Sequence, residues 1–298
     1  MLHQLLDHPE VERTLDEVSS VLHADVRDLD CEEALKSTVS VQLALLAAGV
    51  ATARALIDKH VVPTVVCGLS VGAFAAAVVA DVLSLKDAVE LVRIRAERTL
   101  ELYPAGYGLS AIVGLNESQV LNIVQAVTSE REPVFIGNIN APRQIVIAGS
   151  DRGMETVVDE ARRRGARKAE RLNVSVPSHC RLLQSVADAL HQRISLLQLR
   201  TPQMTYVDNV NARPMRRAEC VANDLANNIA HSVRWHDATM VAKELGCNLF
   251  LEMPPGHILS DLAQENVSGV SALAVESDVL SRVLRVAHEE INSGRWHD

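Results

Sequence analysis

A serine flanked by glycines, in Gly68-Leu69-Ser70-Val71-Gly72, follows the β-branched run Thr64-Val65-Val66-Cys67 and precedes an Ala-rich segment, Ala73 to Val82. A G-x-S-x-G pattern between a strand and a helix is a nucleophile elbow, which holds a serine on a strained turn with its hydroxyl exposed. The glycines are expected because side chains there would clash with their neighbours. Backbone N–H groups at the start of the following helix could stabilise an oxyanion. The bland alternative is a plain glycine-rich turn.

A serine nucleophile needs a base. Among eleven histidines, His179 stands out in Val176-Pro177-Ser178-His179-Cys180, just before the helical run RLLQSVADAL. Pro and Ser are helix-start residues. The expectation is therefore a histidine in a helix's first turn, where the positive end of the dipole favours the neutral imidazole a base requires. A capping or solvated histidine would give the same local pattern. A second arrangement follows the hydrolase chain order of serine, acid, histidine, using Asp208 and His257. His257 lies in Pro254-Pro255-Gly256-His257, where a turn is an equally good reading.

These residues must be carried by a folded chain, and the composition allows one. The 298 residues are 48% hydrophobic and 22% charged, which fits a globular protein and excludes a disordered chain. Aromatics are only 3%, so the core must be aliphatic. With 29 basic against 38 acidic residues the net charge is −9, which argues against a nucleic-acid partner. Cys31, Cys67, Cys180, Cys220 and Cys247 are odd in number and show no C-x-x-C spacing, so they read as reduced thiols of a cytoplasmic protein. No metal-spaced cluster and no phosphate-loop glycine motif is present, and no metal or redox cofactor is expected. The N-terminus lacks a signal-peptide pattern, and the apolar stretch Val41 to Ile57 contains Gln42 and Arg54. It reads as a buried helix, and no membrane partner is expected.

The pattern along the chain is α/β with a central parallel sheet. Between Leu109 and Val174 the order is strand, helix, strand, strand, helix, strand. That is the ferredoxin-like order. The expected division is a core of residues 1–104 and 175–298 with a small subdomain of residues 105–174 inserted. A basic cluster, Arg162-Arg163-Arg164 with Arg167, Lys168 and Arg171, reads as a solvated helix face. Its sharper reading is a docking surface for an acidic carrier protein or for coenzyme A phosphates.

GLSVG, LVRIRA, NAPRQIVIAGS, GARKAERLNVSVPSHC, VRW and EMPPGHIL stand in an order and spacing that resembles the malonyl-CoA:acyl carrier protein transacylases, from Ser37 to about Leu262. More narrowly, the chain looks like the malonyl transferase (epsilon) subunit of malonate decarboxylase systems. The resemblance implies a hydrolase-like α/β core with a parallel sheet and the ferredoxin-like insert. It implies malonyl transfer from malonyl-CoA to the pantetheine-type thiol of an acyl carrier protein, through an ester on Ser70. His179 would be the base, oriented by a backbone carbonyl near Arg234. Arg95 would hold the free malonyl carboxylate, a task suited to a guanidinium with its fixed charge and paired donors. Asn138 and Asn140 would support the site from the subdomain. Leu69 and Val71 would flank the nucleophile, and the Val71 N–H would supply half of the oxyanion hole.

The sequence departs from the family at Leu69, where histidine is usual, and at Ala73-Phe74, where an acid and an aromatic are usual. Nothing in MLHQLLDHPE matches the family's opening strand and Pro-Gly-Gln-Gly loop. Either the start has been assigned too late or the loop is truly lacking; in both cases the expectation for this polypeptide is an impaired enzyme, even if its full-length parent is active, or a subunit that only binds the carrier, because losing one oxyanion donor costs on the order of 10²–10³ in rate. An unpaired neighbouring strand edge is also expected.

Overall fold

The computed structural model describes residues 1–275 and 280–292. Two helices open the chain: α1 (Pro9–Leu22) and α2 (Thr38–Asp58). The Ser37 side chain accepts the Val39 N–H and caps α2. By length and composition alone α2 could cross a membrane, yet it is mostly buried inside the fold. It lies against α1 and, further on, against α3 (Gly72–Val79) and α4 (Leu85–Leu102). Small residues allow that closeness: a Cβ at Gly49 of α2 would come within 3.2 Å of the Ala75 Cβ of α3. The resulting core is aliphatic, as the composition requires, with Phe74 and Tyr206 as its fully buried aromatics.

Strand β1 (Val65–Cys67) leads into the elbow between α2 and α3. After α4 comes the small lobe: β2 (Tyr107–Val113), α5 (Glu117–Val127), β3 (Val134–Ala141), β4 (Gln144–Ser150), α6 (Asp151–Arg163) and β5 (Lys168–Arg171). Its four strands form one antiparallel sheet in the order β3-β4-β2-β5. The last strand stops at Arg171, three residues before the expected Val174, although the Leu172 N–H still donates to Leu109 C=O. Asn116 and Gln119 form a reciprocal capping box on α5. Ile112, Ile123, Ile145, Ile147 and Met154 fill a second core between this sheet and α5 and α6.

The chain then returns through α7 (Gln184–Ile194), β6 (Thr205–Val207), β7 (Pro214–Met215), α8 (Ala218–Asn227), α9 (Trp235–Glu244), β8 (Leu249–Glu252), α10 (Ile258–Asn266), β9 (Ser271–Ala274) and α11 (Leu280–Asn292). The parallel sheet expected from the sequence is divided. Among the described residues, β1 pairs in parallel with β6, which carries β7 on its other edge, while β8 and β9 form a separate parallel pair. No described strand bridges β1 and β8, so a free edge remains on β1.

The lobes meet along a seam of backbone hydrogen bonds. Ile139 N–H donates to Val233 C=O and Val233 N–H to Gly137 C=O, each at 2.8 Å. The Ser232 hydroxyl donates to Ile136 C=O at 2.6 Å. Edge strand β3 is thereby docked on the 232–234 segment of the core.

Of the two elbow glycines, only the first is required by space. A Cβ at Gly68 would lie 2.1 Å from the Gly72 backbone, whereas a Cβ at Gly72 would meet nothing within 4 Å. Gly68→Ala should therefore destabilise by roughly 2 kcal/mol or more, through overpacking. Gly72→Ala should be neutral or stabilising by about 0.5–1 kcal/mol, the helix preference of alanine. Urea unfolding of the two variants checks the pair, and equal losses would contradict it.

Candidate active site

Ser70 sits at the C-terminal end of β1 with φ 57°, the left-handed region that a non-glycine residue occupies only under constraint. Its N–H donates to the Asn209 side-chain oxygen at 3.0 Å. The helical turn bonds begin just beyond, at Gly72 N–H to Leu69 C=O. The Val71 N–H thus lies ahead of them, at the start of α3. Leu69 is half-buried and packs with Ala141, Val233, Trp235 and Leu262.

His179 reaches this serine from 109 residues away: its Nε2 lies 2.7 Å from Ser70 Oγ. Its Nδ1 lies 2.6 Å from Asn228 C=O. A carbonyl can only accept, so Nδ1 carries the proton and Nε2 presents its lone pair to the Ser70 O–H. The orienting carbonyl is that of Asn228, six residues before Arg234. Arg234 is occupied elsewhere: its N–H donates to Asn209 C=O at 2.8 Å, and its guanidinium pairs with Asp237 at 2.5 Å and Glu117 at 3.4 Å. The guanidinium therefore links α5 to α9 and does not bond His179.

The expected helix-dipole account of His179 does not hold. The residue has φ 60° and precedes α7 by five positions, with a short 3₁₀ turn, Arg181–Leu183, between them. Its neutrality has other sources. Burial at 2% exposure is the larger, and the nearby Arg95 cation is the second. Together they push the imidazole down to about 3, against a pull upward from the Asn228 carbonyl.

Arg95 is fully buried on α4, whereas Arg93 is half-buried and Arg98 exposed on other faces of the same helix. It is not a surface cation. Its guanidinium donates to Ser70 Oγ at 3.0 Å and to the Gln42 side-chain oxygen on α2. Its Nε has no partner among the described residues, and no described carboxylate forms an ion pair with it. Burial alone lowers its pKa to about 9. Hydroxyl, imidazole and guanidinium are thus gathered at one point.

Asn138 and Asn140 lie on β3 at the seam, both buried, and Asn138 bridges Val233. Asn140 C=O accepts from Asn266, and its side-chain oxygen is unpartnered among the described residues. Neither asparagine bonds Ser70, His179 or Arg95. Gln42, Asn209 and Asn228 escaped sequence reasoning. Only Gln42 left a signal, as a polar residue inside an apolar helix. The hydrolase-order arrangement is not assembled. His257 is exposed beside Asp261 at 2.8 Å, and Asp208 is buried against the Asn211 and Arg213 N–H groups. The basic cluster is largely paired locally, Arg164 with Glu160 at 2.7 Å, Lys168 with Glu170 at 2.6 Å and Arg171 with Asp151 at 2.9 Å.

Residues 1–282 match the family model described as an acyl transferase domain. The chain belongs to that family. It is 32% identical over 281 residues to the malonyl CoA-acyl carrier protein transacylase of Haemophilus influenzae, covering 92% of this chain and 89% of the relative. It is 30% identical to the protein of the same name from Bacillus subtilis, over 95% and 90% of the two chains. Among solved structures, the malonyl-CoA:acyl carrier protein transacylase of Xanthomonas oryzae superposes with a TM-score of 0.90 at 31% identity, over 96% of this chain and 93% of that one. A malonyl-transacylase solved in complex with a type II polyketide acyl-carrier protein superposes with a TM-score of 0.88 at 34% identity, over 95% and 92%. These matches support a mixed α/β fold of the transacylase kind.

Folding expels a proton from His179, because the folded value of about 3 lies below the ordinary 6.5. The contribution of the neutral imidazole to stability is therefore fully present above about pH 6.5 and is lost as pH falls from there toward 3. The slope is at most about 1.4 kcal/mol per pH unit for one group. His179→Gln should abolish this component. Denaturant unfolding of both proteins at pH 7, 6 and 5 checks it: the gap should shift in favour of the variant as pH falls.

Proposed function

We propose that this chain is a malonyl-CoA:acyl carrier protein S-malonyltransferase that works through an ester on Ser70. The observation that carries the reading is a buried, carboxylate-free Arg95 within 3.0 Å of a Ser70 hydroxyl that also lies 2.7 Å from the His179 Nε2. A malonyl thioester differs from an acetyl thioester by one carboxylate, and among the described residues this cation has no such partner. The names of the similar proteins support the same donor and acceptor.

The steps balance without a metal or a redox cofactor. His179 Nε2 takes the Ser70 proton as Oγ attacks the thioester carbonyl. The C–S bond breaks, and coenzyme A leaves as its thiol, carrying that proton away. The carrier's pantetheine thiol then gives its proton to His179 and attacks the seryl ester, and Ser70 recovers its hydrogen. The Val71 N–H stabilises the oxyanion in both halves. Arg95 does more than hold the substrate. Its charge is one reason that His179 resists protonation. A bound carboxylate offsets that charge, so the imidazole gains basicity when the correct acyl group is in place. Asn138 and Asn140 support the cleft from the small lobe, and Leu69 walls it.

We read the small lobe as ferredoxin-like from its strand order, and the core as hydrolase-like from the strand–elbow–helix unit. Leu69 and Ala73-Phe74 mark a divergent branch, consistent with the epsilon subunit of a malonate decarboxylase and a cytoplasmic setting.

Incubation with malonyl-CoA should add one malonyl group by intact mass, and Ser70→Ala should add none. His179→Ala should slow adduct formation by roughly 10²–10⁴. Arg95→Ala should lose about 10–10² in malonyl transfer, the worth of a charged hydrogen bond, while keeping acetyl transfer. A wild-type protein that takes no adduct, or an unchanged malonyl preference in Arg95→Ala, would overturn the assignment.

A further inference from the structure

The nucleophile's backbone is held by a side chain, and that side chain is itself held. Ser70 sits at a φ of 57°, and its N–H reaches the Asn209 oxygen at 3.0 Å. Strand β6 runs parallel beside β1, with Val66 opposite Tyr206 and Cys67 opposite Val207. The elbow and Asn209 therefore leave the same end of neighbouring strands. Asn209 is 3% exposed; its C=O accepts from Arg234 N–H, and its two donors are both held by Asp224. Its N–H donates to Asp224 Oδ1 at 2.9 Å, and its side-chain Nδ2 donates to Oδ2 at 3.2 Å. The Tyr206 hydroxyl donates to the same Oδ2 at 2.6 Å.

A carboxamide has two ends of nearly the same shape but opposite hydrogen-bonding character. Which end faces Ser70 is decided by what the other end meets. An ionised carboxylate accepts and cannot donate. With Asp224 behind it, Asn209 must turn its NH₂ to the acid and its oxygen to the Ser70 N–H. The flipped amide would set oxygen against carboxylate and NH₂ against N–H, two repulsions in a buried place.

Asp224 is an expensive residue for mere filling. It is 3% exposed, no cation pairs with it among the described residues, and its three donors are neutral. A neutral side chain would occupy the space at lower desolvation cost. We infer that Asp224 is a positioning residue that locks the orientation of Asn209 and, through it, the left-handed backbone of Ser70 in its reactive geometry. This rests on Ser70 being the acylated residue.

Asp224→Asn keeps the volume but places an NH₂ against one of the donors that now converge on the carboxylate. The measurement is the single-turnover rate of malonyl adduct formation across malonyl-CoA concentrations. The expected result is a maximal rate lower by about 10–10², since small misplacements of a nucleophile cost that much, with half-saturation within about twofold of wild type. Asn209→Ala should fall by a similar factor, and the double variant should be no slower than the slower single one, because the acid acts through the amide. Should Asp224→Asn not fold, Asp224→Ser takes its place in the same cycle. A single variant within twofold of wild type, a loss confined to half-saturation, or a double variant whose loss is the product of the two would each sink the inference. A wild-type protein that forms no adduct would remove the Ser70 reading and the inference with it. A normal wild-type adduct with an indifferent Asp224 variant removes the inference alone.

Discussion

A guanidinium kept from water with no carboxylate partner among the described residues is the constraint around which this molecule is arranged. Arg95 is 2% exposed, and its described partners are the neutral oxygens of Ser70 and Gln42. Burying an unpaired cation is costly, and that cost is borne by the packing of α2, α3 and α4, whose small and aliphatic residues seal it. The same charge adds to the larger effect of burial in keeping the neighbouring imidazole neutral.

The rest of the cleft is organised so that neutral groups do the orienting. His179 is directed by a peptide carbonyl and Ser70 by a carboxamide. Two of the positions involved, Ser70 and His179, are among the few non-glycine residues at positive φ among the described residues, as is His23, the cap of α1. For Ser70 and His179 the strain coincides with the hydroxyl–imidazole contact, as expected where the surrounding structure over-determines a conformation. His23 merely ends a helix.

Much of this was legible from residue type and spacing. The elbow, the β1–α3 unit and the strand–helix alternation of the small lobe follow from β-branched runs, helix periodicity and turn residues. Ser70 and His179 were singled out by their motifs and Arg95 by the resemblance to the transacylases, and the structure brings the three side chains together. What escaped was carried by the backbone or by long-range contact. The Asn228 carbonyl has no side-chain signature, since any residue supplies one. Asn209 and Gln42 act across 139 and 53 residues of chain, a distance that no local pattern spans. The placement of His179 in a helix's first turn failed because Pro177-Ser178 is followed by a left-handed residue and a 3₁₀ turn before α7 begins. The carbonyl expected near Arg234 is supplied six residues earlier, by Asn228, while the Arg234 guanidinium pairs with Asp237 and Glu117.

The seam between the lobes has a further consequence. Residues 137–139 and 233 are joined by peptide N–H and C=O groups, so the width of the crevice is fixed by main-chain dimensions. Side chains along that joint are free to diverge without widening or narrowing the gap between the lobes. A chain can thus lose two thirds of its identity to a relative and still superpose with a TM-score of 0.90. Peptide geometry acts there as a spacer that mutation of side chains leaves in place.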